Sequence, residues 1–157
     1  MSELWDWAVR AYAAEGVSEA CLHLQDAAGQ NAPLLLWAAW RGPVDPDDVE
    51  AAVDAARSWH GAAIEPLRAV RRLLKKPISD MEDGPRLTLR DQVKAVELAA
   101  ERGLLEALEQ IAGPPPATGF DPLPSMVAAA RLWSDRTPRQ GLITLAGRLS
   151  DTPAPGV

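Results

Sequence analysis

The sequence predicts an all-α fold, and three observations carry the prediction. The 47% hydrophobic content comes mostly from Ala and Leu, which favour helix, while the β-branched and aromatic residues that suit strands are sparse. Apolar positions recur at steps of three and four through every long segment. Pro, Gly and Asp then cut the 157 residues into about seven such segments, each with helix start and stop signals. A chain of this size buries roughly two thirds of its unfolded surface as one domain. Residues 1–150 are therefore expected to form a single compact all-helical domain, with 151–157 as a flexible tail. Helices of unequal length with short, proline-bounded connections favour orthogonal packing over a regular four-helix bundle.

Ser2 suits the N-cap of the first helix, with Glu3 and Asp6 near the positive end of its dipole. Leu4, Trp5, Ala8, Ala11 and Tyr12 form its apolar face. Trp7 stands apart, about 200° from Trp5 on the helical wheel; the helix is either buried on a wide face, which is the preferred reading, or turns Trp7 to a partner. Glu15-Gly16 ends this helix and Ser18 is expected to cap the second, which carries Cys21, Leu22 and Leu24. Gly29 suits a left-handed C-cap, and Asn31 suits the N-cap of a third helix, "APLLLWAAW", with Pro33 in its first turn. Capping accounts for most of the polar stretch from 25 to 31, but Gln25 and Asp26 are left without a role.

Asp45-Pro46-Asp47-Asp48 opens the fourth helix. Val49, Ala52, Val53, Ala56, Trp59, Ala63, Leu67, Val70 and Leu74 continue one face past Gly61 and Pro66. Proline inside a helix removes an N–H and clashes with the carbonyl four residues back, so a kinked or split helix is expected there. Residues 75–86 read as a loop. Thr88 with Asp91 resembles a capping box opening the longest helix, with Leu89, Val93, Val96, Ala100, Leu104, Leu108 and Ile111 as its stripe. Gly113-Pro114-Pro115-Pro116 stops it; Asp121-Pro122 and Thr137-Pro138 open the last two helices, through Trp133 and Leu149.

A net charge of −6 argues against a surface built to coat nucleic acid, and against association with an anionic membrane. With Cys21 as the one cysteine there is no intramolecular disulfide, which suits a reducing compartment. The N-terminus lacks the basic and apolar regions of a secretory leader, and the densest apolar stretch, 33–40, is too short for a membrane span. A cytoplasmic protein is expected. Cys21 and His23, two apart on a helix, point in different directions and make no dyad. Two His and one Cys do not make an ordinary zinc site, and no glycine-rich phosphate loop follows a strand. No catalytic residue, metal or cofactor is assigned.

The chain resembles a proteobacterial family of small, all-helical proteins of unknown function. The resemblance rests on Trp5-Asp6-Trp7, Tyr12, Gly16-Val17, Ala20-Cys21-Leu22 with Leu24-Gln25-Asp26, Gly29 and Asn31, then Leu34-Leu35-Leu36 and Trp40. It resumes at Trp59 and at Pro66-Leu67-Arg68 with Arg71-Arg72 and Leu74-Lys75. It covers roughly residues 4–110, and its specificity lies in the order and spacing of these groups. Position 32 departs from it, with Ala where a larger aliphatic is expected. The resemblance implies a bacterial cytoplasmic protein and assigns no activity or catalytic residue.

Charge is segregated. Between Arg57 and Lys76 lie six basic residues and one acid, Glu65, in a chain that is acidic overall. On an ideal helix Arg68, Arg71, Arg72, Lys75 and Lys76 line the side opposite Leu67, Val70 and Leu74. That side is either a solvated face or a docking surface. The first functional expectation is accordingly an interaction or regulatory module that docks an acidic protein partner on 68–76, extended by Trp59, with a small anionic ligand as a further candidate. The alternative is a small-molecule-binding protein or weak enzyme with a pocket at the 59–68 kink, built from Trp59, His60, Arg68 and Asp26. Gln25, Asp26 and Trp7 are secondary candidates.

Overall fold

The computed structural model describes residues 1–116, 119–150 and 152, and these form helices and connections with no strand. The helices are α1 (Glu3–Ala13), α2 (Val17–Ala28), α3 (Ala32–Arg41), α4 (Pro46–Trp59), α5 (Glu65–Leu73), α6 (Asp83–Glu109), α7 (Leu123–Trp133) and α8 (Arg139–Leu149). A π turn, His60–Ile64, joins α4 to α5, so these pieces form one rod and the described residues make seven rods in all. The expected tail at 151–157 lies, apart from Thr152, outside the described residues.

α3 is the centre. Every residue from Ala32 to Trp40 is buried, and α1, α2, α4, α6 and α7 all pack against it. A helix that is apolar all round has no face for water, so neighbours must enclose it. Its ends are set locally: Asn31 Oδ1 accepts from the Leu34 N–H at 2.9 Å, and Gly42 ends it at φ 73°, ψ −145°, backbone that only glycine adopts readily. Gly29 ends α2 at φ 64°, as its position predicts. Ser2 Oγ accepts from the Trp5 N–H at 3.0 Å and donates to Glu109 Oε2 at 2.5 Å, which anchors the start of α1 to the end of α6.

Trp7, a candidate partner-facing residue, is instead 6% exposed and packs in the core with Leu4, Ala8 and Ala11. The wide-face reading of α1 holds, and it is Trp5 that sits half-buried at the edge. Ser18 does not cap α2: that helix starts two residues earlier, at Val17, with Gly16 at φ 80° as its cap. α6 likewise opens at Asp83, not at Thr88. Pro85 lies in its first turn, where a proline removes only an N–H that has no helical partner.

The π turn carries the main correction. Helical spacing predicted one inward face through Trp59, Ala63, Leu67 and Val70. The wider turn absorbs one extra residue, with the Glu65 N–H bonding back to the His60 carbonyl, and the inward face moves one place along the chain. Ala52, Ala56, Ile64 and Arg68 are buried, whereas Trp59 and Val70 are each 42% exposed. Arg68 therefore points into the protein and not out of a basic face. The α6 stripe shifts to match. Opposite an α5 that presents arginines, α6 buries Arg86 and Glu97 and leaves Leu89 and Val96 exposed. Arg86 closes the connection: its Nη1 donates to the carbonyls of Leu74 at 2.7 Å and Lys75 at 3.2 Å.

Candidate functional site

At the seam of α5 and α6, Glu97 lies between two guanidinium groups. Arg68 Nε donates to its Oε1 at 3.3 Å, and Arg71 Nε to its Oε2 at 2.6 Å. Arg68 also stands 3.9 Å from a Glu65 oxygen and 3.9 Å from a Glu101 oxygen. Buried charges persist only when paired and hydrogen-bonded, and here Arg68, Arg71 and Glu97 satisfy one another. They form a rigid wall.

Two adjoining chambers flank this wall. The polar one, about 540 Å³, lies among α2, the π turn, α5, α6 and the end of α7. Arg68, Arg71, Arg72, Lys75 and Arg90 line it, against two carboxylates, Asp26 and Glu65. Glu65 holds Arg72 at 3.4 Å and stands 3.6 Å from His60 Nε2. Burial first, and then the Arg68 charge, pull His60 below the usual histidine range, so the ring is neutral at pH 7. It meets the Trp133 ring edge-on at 5.8 Å. Lys75 and Arg90 have no ion-pair partner among the described residues, and Arg90 Nε is buried without a hydrogen bond.

The apolar chamber, about 390 Å³, lies between α1, α2, α3 and α6, with Trp5, Val9, Tyr12, Cys21, Leu22 and Leu98 among its walls. Positions 5, 9 and 12 follow helical spacing, which puts a second apolar face on α1 beside the core one. Burial pushes the Cys21 thiol up to about 11 and moves the Tyr12 hydroxyl well above the usual tyrosine range, so both are neutral. Glu101, also in this wall, is raised by burial and then by the Glu97 charge. Leu22, Gln25 and Arg71 line both chambers, which therefore form one cleft with an apolar and a basic end.

The structure brings together His60, Arg68, Arg71, Arg72, Lys75, Gln25 and Asp26. Neither Gln25 nor Asp26 makes a side-chain hydrogen bond among the described residues. Trp59 lies elsewhere: its Nε1 donates to the Ala100 carbonyl at 2.8 Å and the ring rests beside Gly103. Sequence reasoning missed Arg90, Trp133, Glu97 and Glu101. Trp133 lines the polar chamber, with its Nε1 donating to the Gly29 carbonyl at 2.8 Å and Arg57 5.0 Å over its ring. Arg86, Arg90, Glu97 and Glu101 recur at helical spacing, a signal present in the sequence.

Fold and cleft together define an all-helical protein with one amphipathic recess beside a π turn. No helix among the described residues is long and apolar enough to cross a membrane. The chain belongs to a family described as "Protein of unknown function (DUF2390)", whose model matches residues 3–108. That span contains every cleft residue named above except Trp133. No curated protein and no solved structure matches the chain.

Proposed function

We propose that the protein is a binding module for a small anionic ligand, held in the polar chamber by Arg72, Lys75 and Arg90. One observation carries this reading: a concave site contains five cations and two carboxylates, and two of the cations, Lys75 and Arg90, lack an ion-pair partner among the described residues. Arg68 and Arg71 share the Glu97 carboxylate and serve as the wall, while Arg72, Lys75 and Arg90 supply the attraction. Forked guanidinium groups suit oxyanions because they donate two parallel hydrogen bonds. Gln25, without a hydrogen-bond partner among the described residues, adds a neutral donor and acceptor at the same place. The volume falls within the roughly 300–1,000 Å³ of ordinary small-molecule sites.

Docking of an acidic protein partner on the outside of α5 is a second reading. It is favoured by exposed Arg72, Lys75 and Lys76 around Leu73, which is 75% exposed. Lys76 separates the two, since it does not line the chamber. The test is calorimetric titration with inorganic pyrophosphate of the wild type, Lys75→Glu/Arg90→Glu and Lys76→Glu. The cleft reading predicts affinity at least about tenfold weaker in the double variant and unchanged for Lys76→Glu. Equal losses in both variants would favour the open surface, and no binding by the wild type would overturn the cleft reading.

A further inference from the structure

We infer that the ligand is an amphipathic anion, a phosphate-type head on an unbranched hydrocarbon tail, with the head in the polar chamber and the tail in the apolar one. This rests on the anion-binding reading above and extends it to the chemical class of the ligand. Three observations on the page carry it. Leu22, Gln25 and Arg71 line both chambers, so the two adjoin, and a molecule whose head is held in one can lay its tail across these side chains into the other. The apolar chamber is lined by side chains that remain in contact with water, with Val9 49%, Leu22 53% and Leu98 54% exposed, from three helices that meet without covering one another. Exposed apolar groups gathered in one recess mark a place where apolar surface is to be covered. Finally, charge changes abruptly along the cleft, from three cations near one end to a neutral thiol and phenol at the other.

Complementarity selects the head as well as the tail. Three cations, one on α5, one in the connection that follows it and one on α6, match a head of charge near −2 better than a carboxylate, which offers two oxygens and one charge. Glu97 and Glu101 stand in the wall of the apolar chamber, which disfavours an acidic head at that end.

The test uses the full-length protein and a series of methyl, butyl, hexyl and octyl phosphates, with octanoate and octanol as controls. Affinities are read by calorimetry, and by NMR titration for the weak short-chain members. Each added methylene is expected to strengthen binding roughly three- to fourfold until the recess is filled. Octanoate should bind more weakly than octyl phosphate, and octanol more weakly still. The variant Val9→Glu/Leu98→Glu alters exposed positions that the fold does not need; it should abolish the chain-length gain and leave methyl phosphate binding unchanged. If methyl and octyl phosphate bind equally, the tail inference is overturned while the anion reading stands. Octanol binding as tightly as octyl phosphate would overturn the link between the chambers, and failure of every phosphate would overturn both readings.

Discussion

Removing the Glu97 carboxylate leaves Arg68, 5% exposed, with a buried charge and only the 3.9 Å contacts to Glu65 and Glu101. Breaking one side of such a buried pair costs about 3–5 kcal/mol, so Glu97→Ala is expected to lose that much in urea unfolding at pH 7. Glu101 behaves oppositely. Its folded-state pKa lies above the unfolded value of 4.5, so the stability it contributes is complete below that value and is lost as pH rises through the folded pKa. Glu101→Gln removes this titration, and the variant should gain on the wild type as pH is raised from 4.5 to 8. A difference that stays flat with pH would contradict the assignment. Gln25 and Asp26 were legible as candidates from the sequence because capping by Gly29 and Asn31 explains their neighbours and not them. Arg90 and Trp133 were not, since each enters the cleft from a helix distant in the chain and only packing brings them there.

The caps show what local sequence decides. Ser2, Gly29 and Asn31 act on backbone within a few residues of themselves, and all three sit where their chemistry predicts. The rod through α4, the π turn and α5 shows what it does not decide. A wheel drawn at 3.6 residues per turn carries no information about an inserted residue, so everything beyond His60 was placed one position out of phase. Arg68 was read as solvent-facing and Val70 as core for that single reason. Pro66 follows directly after the wide turn, which spares it the clash a regular helix imposes. Deleting the exposed Ala62 should restore regular helix and keep Arg68 facing Glu97, but at a cost of about 3 kcal/mol from Pro66. Combining the deletion with Pro66→Ala should recover most of that loss, measured as a double-mutant cycle in urea. Additive losses would show that the turn and the proline are independent.

Across the molecule, α3 is enclosed by five helices, and the cleft lies at the outer edges of α1, α2, α5 and α6. The fold class followed from composition and periodicity because a Leu- and Ala-rich chain with a fully apolar segment from Ala32 to Trp40 has to be a helical assembly around that segment. The cleft did not follow, because its walls are residues that each satisfy a simpler description when read alone: a solvated arginine, a core tryptophan, an exposed leucine. The indole N–H groups give the most direct test of the central claim that this recess binds an amphipathic anion. Trp133 lines the basic chamber and Trp5 the apolar one; Trp59 lines neither, and Trp7, Trp37 and Trp40 are buried in the core. In ¹⁵N-resolved NMR spectra of the protein titrated with octyl phosphate, the Trp133 and Trp5 indole signals should shift together with one saturation curve while Trp59 stays fixed, and inorganic phosphate should move Trp133 alone. Shifts at Trp59 without change at Trp133 and Trp5, or no saturable shift at either cleft indole, would contradict it.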